Sequence, residues 1–170
     1  MRAPTRQSAN RSATRGRKGF SLIELLIVVA VILTIAAIAV PSFIRSRMRA
    51  NEGAAVANLR DITTAEVVYC TTYGIGFSSN LKKLGGNLIL ADVNNAGLID
   101  DVLASGTRTG YIFTYKVLTT DSNGNVLDYG VNVDPVNPGV TGDRHFYSDQ
   151  TAVIRQNQTG SAGPSDPPIS

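Results

Sequence analysis

The 170 residues contain no tryptophan, one cysteine (Cys70), one histidine (His145) and two methionines. A single thiol and a single imidazole exclude an intramolecular disulfide framework, a Cys₄ or Cys₂His₂ zinc site, and a centre built on several histidines. Much familiar catalytic chemistry goes with them. No glycine-rich phosphate loop is present either: Gly74-Ile75-Gly76 lacks the rest of a dinucleotide fingerprint. The length leaves room for one domain and little more, which excludes a large multidomain enzyme. Acidic residues are missing from residues 1–19, which hold Arg2, Arg6, Arg11, Arg15, Arg17 and Lys18. The net charge of +3 therefore comes from one end, and the rest of the chain is mildly acidic. A polybasic leader of that kind concerns topology at a membrane, not a nucleic-acid surface.

The strongest positive feature follows the leader. Phe20 to Phe43 reads FSLIELLIVVAVILTIAAIAVPSF, with Glu24 as its one charged residue. Leu22 to Val40 spans 19 residues, about 28 Å of helix, which matches a hydrocarbon core of about 30 Å. Six positive charges on its N-terminal side predict that this side stays in the cytoplasm and that the chain after Pro41 is translocated.

The helix is expected to continue, because Phe43, Met48, Ala55, Leu59, Ile62, Glu66, Tyr69 and Tyr73 recur mostly three and four apart, with polar residues between them. Pro41 removes a backbone donor and should kink or loosen the rod, Gly53 is a weaker soft point, and Gly74 and Gly76 end it. Residues 77–110 read as turns with a helical turn at Leu81–Leu84. Tyr111–Thr119 and Val126–Val133 read as strands joined by a hairpin turn at Asp121-Ser122-Asn123-Gly124-Asn125, with Leu127, Tyr129, Val131 and Val133 sharing one face of the second. Two further strands, Arg144–Ser148 and Thr151–Arg155, complete an antiparallel sheet, and the Gly, Pro and Ser-rich tail is expected to fray. The fold class is thus α+β: a leader over residues 1–19, a membrane-spanning helix over 20–43, its amphipathic continuation over 44–73, a head with a small antiparallel sheet over 74–158, and a flexible tail over 159–170.

At Arg17-Lys18-Gly19-Phe20-Ser21-Leu22-Ile23-Glu24-Leu25 the chain resembles the type IV prepilin family, which includes pilins and the pseudopilins of type II secretion. Pro41 and the order of helix then sheet fit the same family. The resemblance covers residues 20–60 closely and the sheet in outline. It implies cleavage after Gly19 by a prepilin peptidase, with Arg17 and Lys18 holding the leader in the cytoplasm, and N-methylation of Phe20. It further implies that Glu24 pairs with the new Phe20 amine of a neighbouring subunit and guides registry during filament assembly. The implied partners are copies of this chain, other pilins, the peptidase, an inner-membrane platform protein and a cytoplasmic assembly ATPase. The implied location is the inner membrane and then a cell-surface pilus or a periplasmic pseudopilus, with no reaction catalysed and no cofactor required. Many pilins close a C-terminal loop with a disulfide, which this chain cannot form.

Two rivals stand beside that reading. Ala37-Ile38-Ala39 is a possible ordinary signal-peptidase site, cleavage at which would release a soluble domain starting at Val40; Glu24 and the length of the apolar run oppose it. A pseudopilin would share the whole N-terminal motif. Asp121, Asn123, Asn125 and Asp128 offer oxygen ligands for calcium, but Gly124 comes too early and a closing Glu is missing, so a plain turn is the simpler reading. His145 reads as a surface or half-buried strand residue and Cys70 as a packed side chain. Arg45, Arg47 and Arg49 cluster just beyond the span, where lipid headgroups or acidic neighbours would satisfy them.

Overall fold

Helix α1 (Leu22–Tyr73) is 52 residues long and runs without interruption across Pro41. The structure is a computed structural model that describes residues 19–169, so the leader residues Arg17 and Lys18 lie outside the described residues. The chain divides into two units, Met1–Val40 and Pro41–Ser170, and the division falls at the proline singled out in the sequence.

In the helical part of the first unit, residues 22–40, Leu, Ile, Val and Ala dominate with no glycine or proline, so nothing interrupts the backbone ladder. Thr34 Oγ1 donates to the Ala30 carbonyl at 2.9 Å, which satisfies the hydroxyl in a stretch that offers it no other partner.

In the second unit, α1 continues to Tyr73 and stops where Gly74 adopts φ 66° and donates its N–H to the Cys70 carbonyl. Met48, Glu52, Ala55, Leu59, Ile62, Glu66 and Tyr69 form its buried stripe. Met48, Ala55, Leu59, Ile62, Glu66 and Tyr69 are buried as expected from the sequence; Glu52, Asn58, Thr63 and Ala65 are buried as well, while Tyr73 is half-buried and Phe43 exposed instead of packed. Short elements follow: α2 (Leu81–Leu84), a 3₁₀ turn (Leu88–Leu90) and α3 (Asp101–Ala104), capped by the side chains of Asn80, Asn87 and Asp100. Only α2 was legible beforehand, because four-residue elements carry too little periodicity to be recognised.

Strands β1 (Thr107–Arg108), β2 (Tyr111–Thr120), β3 (Val126–Pro135), β4 (His145–Asp149) and β5 (Arg155–Asn157) form one antiparallel meander in chain order. The sheet's inner face supplies Tyr111, Phe113, Tyr129, Val131, Val133 and Phe146, which pack with Leu59, Ile62 and Tyr69 of α1 and with Leu84 and Leu103. The fold is therefore α+β, with the second half of α1 against an antiparallel sheet.

Three expectations need correction. Register shifts between Val117 and Thr120 turn the start of β3 over, so Val126 is buried and Leu127 is exposed. Thr151–Ile154 is not strand: Asp149 Oδ1 accepts from the Thr151 amide and hydroxyl, Ala152 takes φ 58°, and pairing resumes only at Arg155. The tail is also held in place. Gln156 and Ile169 donate backbone bonds to Pro167 and Ile154, Arg155 NH1 donates to the Asp166 carbonyl, and Ala162 is buried under Asn132. Composition suggested fraying, but these partners come from β3, β5 and Ile154 just before it, and are not visible locally.

Candidate functional site

The feature with the clearest consequence is the surface of the first unit. Phe20 is 86% exposed and Ile38 75%. Every large apolar side chain between them is also exposed. Water does not tolerate a continuous apolar surface of this size, so it requires lipid or other protein. Ala30, Ala36, Ala37 and Ala39 interrupt the larger side chains and allow another helix to approach closely.

Gly19 and Phe20 precede the helix in exposed, irregular chain. A Cβ placed on Gly19 would meet nothing within 4 Å, so the fold itself does not demand glycine there. Glu24 lies in the first turn and its Oε2 accepts the Ser21 amide at 3.3 Å, which gives the carboxylate a partner within its own chain.

Two buried carboxylates fasten the second unit together. Glu52 Oε1 accepts the amides of Asp143 and Arg144 at 3.0 and 3.3 Å, and Oε2 accepts Arg144 Nε at 2.8 Å. Burial alone would raise its pKa, but these donors outweigh burial and hold it below the ordinary carboxylate range. Glu66 is fully buried and accepts the Ser78 amide at 2.8 Å and the Ser78 hydroxyl at 2.5 Å. Among the described residues no cation forms an ion pair with it, and burial pushes its pKa up despite those two donors. Tyr115 donates to the Ser78 carbonyl and stacks on Tyr129, closing the pocket around the carboxylate. The sequence placed Glu66 on the buried stripe. It missed Glu52, although Glu52 lies four residues after Met48 on the same stripe.

The remaining candidates do not assemble catalytic chemistry. His145 Nδ1 lies 2.6 Å from Asp134 Oδ1, and Ser161 Oγ donates to the other oxygen of that same carboxylate. Aspartate thus sits between serine and histidine, the wrong order for a histidine to take the serine's proton. The Asp121 carboxylate accepts the amides of Asn123 and Asn125 and the Asn125 side-chain amide, so the turn's own donors use both its oxygens. Asp128 pairs in the sheet opposite Thr119, and among the described residues no three His, Cys, Asp or Glu side chains converge. Cys70 is half-buried and free.

An open cavity of about 910 Å³ lies beside the start of α1 in the second unit, lined in part by Arg45, Met48, Arg49, Glu52, Asp143 and Arg144. Arg45 and Arg49 were visible as part of a basic cluster. Their meeting with Arg144, nearly a hundred residues later, was not.

A long N-terminal helix, uncovered and apolar in its first part and packed on a five-stranded antiparallel sheet in its second, defines a pilin-like α+β protein. A family model described as the prokaryotic N-terminal methylation motif matches residues 14–40. The chain is 30% identical over 139 residues to the type IV wide pilus major component PilA4 of Thermus thermophilus, covering 82% of this chain and 92% of that protein. It is 49% identical over 49 residues to the type IV major pilin protein PilA of Myxococcus xanthus, covering 29% of this chain and 22% of that one. It is 32% identical over 121 residues to a fimbrial protein of Pseudomonas aeruginosa, covering 62% and 79%. No solved structure matches it. The chain belongs to the type IV pilin family, whose members are structural subunits and not enzymes.

Proposed function

We propose that this chain is made as a single-pass precursor with residues 1–19 in the cytoplasm, cut after Gly19 and N-methylated at Phe20. It then polymerises through its N-terminal helix into a type IV pilus. The observation that carries the reading is the uncovered apolar surface from Phe20 to Val40. Lipid covers it in the precursor, and the helices of neighbouring copies cover it in the filament. A head-to-tail contact repeated without closure generates a helical fibre.

Glu24 sits near the end of the span, where a charge costs less than the roughly 2.5 to 3.5 kcal/mol quoted for a helix centre. Cleavage after Gly19 creates a positive amine at Phe20, and pairing with Glu24 of a neighbour removes both charges from an apolar setting while fixing subunit registry. Pro41 marks the boundary between the filament-core segment and the head. Assembly draws on an inner-membrane platform protein and a cytoplasmic ATPase, since the chain has no nucleotide-binding motif of its own.

The test is intact mass and N-terminal sequencing of the protein recovered from cells with and without active prepilin peptidase. A chain that starts at methylated Phe20 only when the peptidase is active is the expected result. A start at Val40 overturns the reading in favour of a secreted soluble domain.

A further inference from the structure

Three arginines follow the apolar run, and the fold treats them differently. Arg45 and Arg49 stand one turn apart and both line the cavity beside α1, whereas Arg47 does not. Among the described residues neither Arg45 nor Arg49 has an ion-pair partner. Arg144 faces them from the loop before β4. Its Nε is committed to Glu52 and its NH1 donates to Gln156 at 3.1 Å, so Arg144 and Glu52 largely neutralise each other. Asp143 is the other carboxylate lining the cavity, which leaves two guanidinium groups against one carboxylate. His145 Nδ1 is already taken by Asp134 and adds no free donor at that nitrogen.

Position selects the ligand. Side chains on a helix slant toward its N-terminus, so Arg45 and Arg49 reach back along α1 toward Pro41. Arg45 follows Val40 by five residues, about 7.5 Å of helix, and the headgroup layer on each side of a bilayer is roughly 5 to 8 Å deep. Guanidinium forks match phosphate oxygens in a planar, bidentate way, and a partly walled cleft is screened less than an open surface.

From these observations we propose that the Arg45–Arg49–Arg144 cleft binds a phosphate group, and that the phosphate belongs to an anionic lipid headgroup of the leaflet into which the precursor emerges. The cleft then holds the precursor at a defined depth until the subunit leaves the bilayer. This rests on the single-pass reading above.

The experiment uses the full-length chain in detergent, offered equal phosphatidylglycerol and phosphatidylcholine, with retained lipid counted by native mass spectrometry. Phosphatidylglycerol is expected to be preferred, with a loss of about fivefold per arginine removed. R45Q/R49Q should therefore lose about twentyfold or more, while R47Q retains most binding and R45K/R49K, which keeps the charge but not the bidentate fork, falls between them. Equal retention by R45Q/R49Q overturns the proposal, and so does an R47Q loss as large, which would indicate a diffuse field and no cleft. Displacement by equimolar inorganic phosphate would make this a free-anion site and overturns the lipid assignment. Normal lipid retention by R45Q/R49Q together with failed filament formation would mean that the arginines meet an acidic face of a neighbouring subunit, which also overturns it. Flotation with neutral phosphatidylcholine vesicles separates the two readings. If the chain does not float, the single-pass reading fails; if it floats but the arginines prove irrelevant, only the cleft proposal fails.

Discussion

Glu52 and Glu66 lie on one face of the same helix and burial pushes both carboxyl groups up, yet the donors around Glu52 leave the two on opposite sides of the ordinary range. Glu52 is lowered, so its contribution to stability is complete above its ordinary pKa and is lost as pH falls through the folded-state value. Glu66 is raised, so its contribution is present below the ordinary pKa and is lost as pH rises through the folded-state value. Glu66→Gln, which keeps the shape and removes the charge, should raise the melting temperature at pH 8 and change it little at pH 4. An equal shift at both pH values would show that ionisation of Glu66 does not matter. Glu52→Gln should cost about 1 to 3 kcal/mol near pH 7, because the Asp143 and Arg144 amides lose a charged acceptor, and the cost should shrink in acid. Thermal melts of both variants from pH 3 to pH 9 read out the pair together. The residue types were visible in the sequence, but their opposite titrations depend on which donors face each carboxylate, and those donors lie outside the helix.

At the scale of elements, long periodic segments were legible and short ones were not. The 3.6-residue repeat through Leu59, Ile62, Glu66 and Tyr69 and the alternation of Tyr111, Phe113 and Tyr115 each repeat often enough to override local noise. β5 has three residues and α3 four, and both exist because neighbours supply their bonds. The bulge between Val117 and Thr120 moved Leu127 to the surface, since one extra residue inverts every side chain beyond it. The loop between β3 and β4 is tied to α1 by Asn51, which donates to the Thr141 carbonyl, and by Glu52. Gly142 in that loop is buried against Tyr111, and a Cβ there would stand 1.9 Å from the tyrosine hydroxyl oxygen. Tyr111 is fully buried and donates to the Arg144 carbonyl, so it has little room to move. Gly142→Ala should therefore cost about 1 to 3 kcal/mol, seen as a fall of several degrees in melting temperature. An unchanged melt would mean that the loop yields instead.

For the whole molecule, the buried apolar residues among those described all lie at or after Met48, within the second unit. A chain lacking residues 1–40 should consequently fold, melt cooperatively and stay monomeric without detergent, while the full chain should require detergent or lipid. Circular dichroism and sedimentation of both forms check this, and loss of cooperative melting in the shorter form would show that the head depends on residues 1–40. The sequence by itself determined the membrane-length apolar run, the basic composition of residues 1–19, the single charge at Glu24, the amphipathic helix and the central hairpin. All of these are carried by neighbours a few residues apart, where periodicity and charge order act directly on the backbone or on a bilayer. Only the tertiary structure decided that Glu52 is buried against Arg144, that Glu66 is buried against the amide and hydroxyl of Ser78, that the tail is pinned to β5, and that Arg45 and Arg49 share a cleft with Arg144. Each of these joins residues from distant parts of the chain, and burial and electrostatic pairing depend on distance in space.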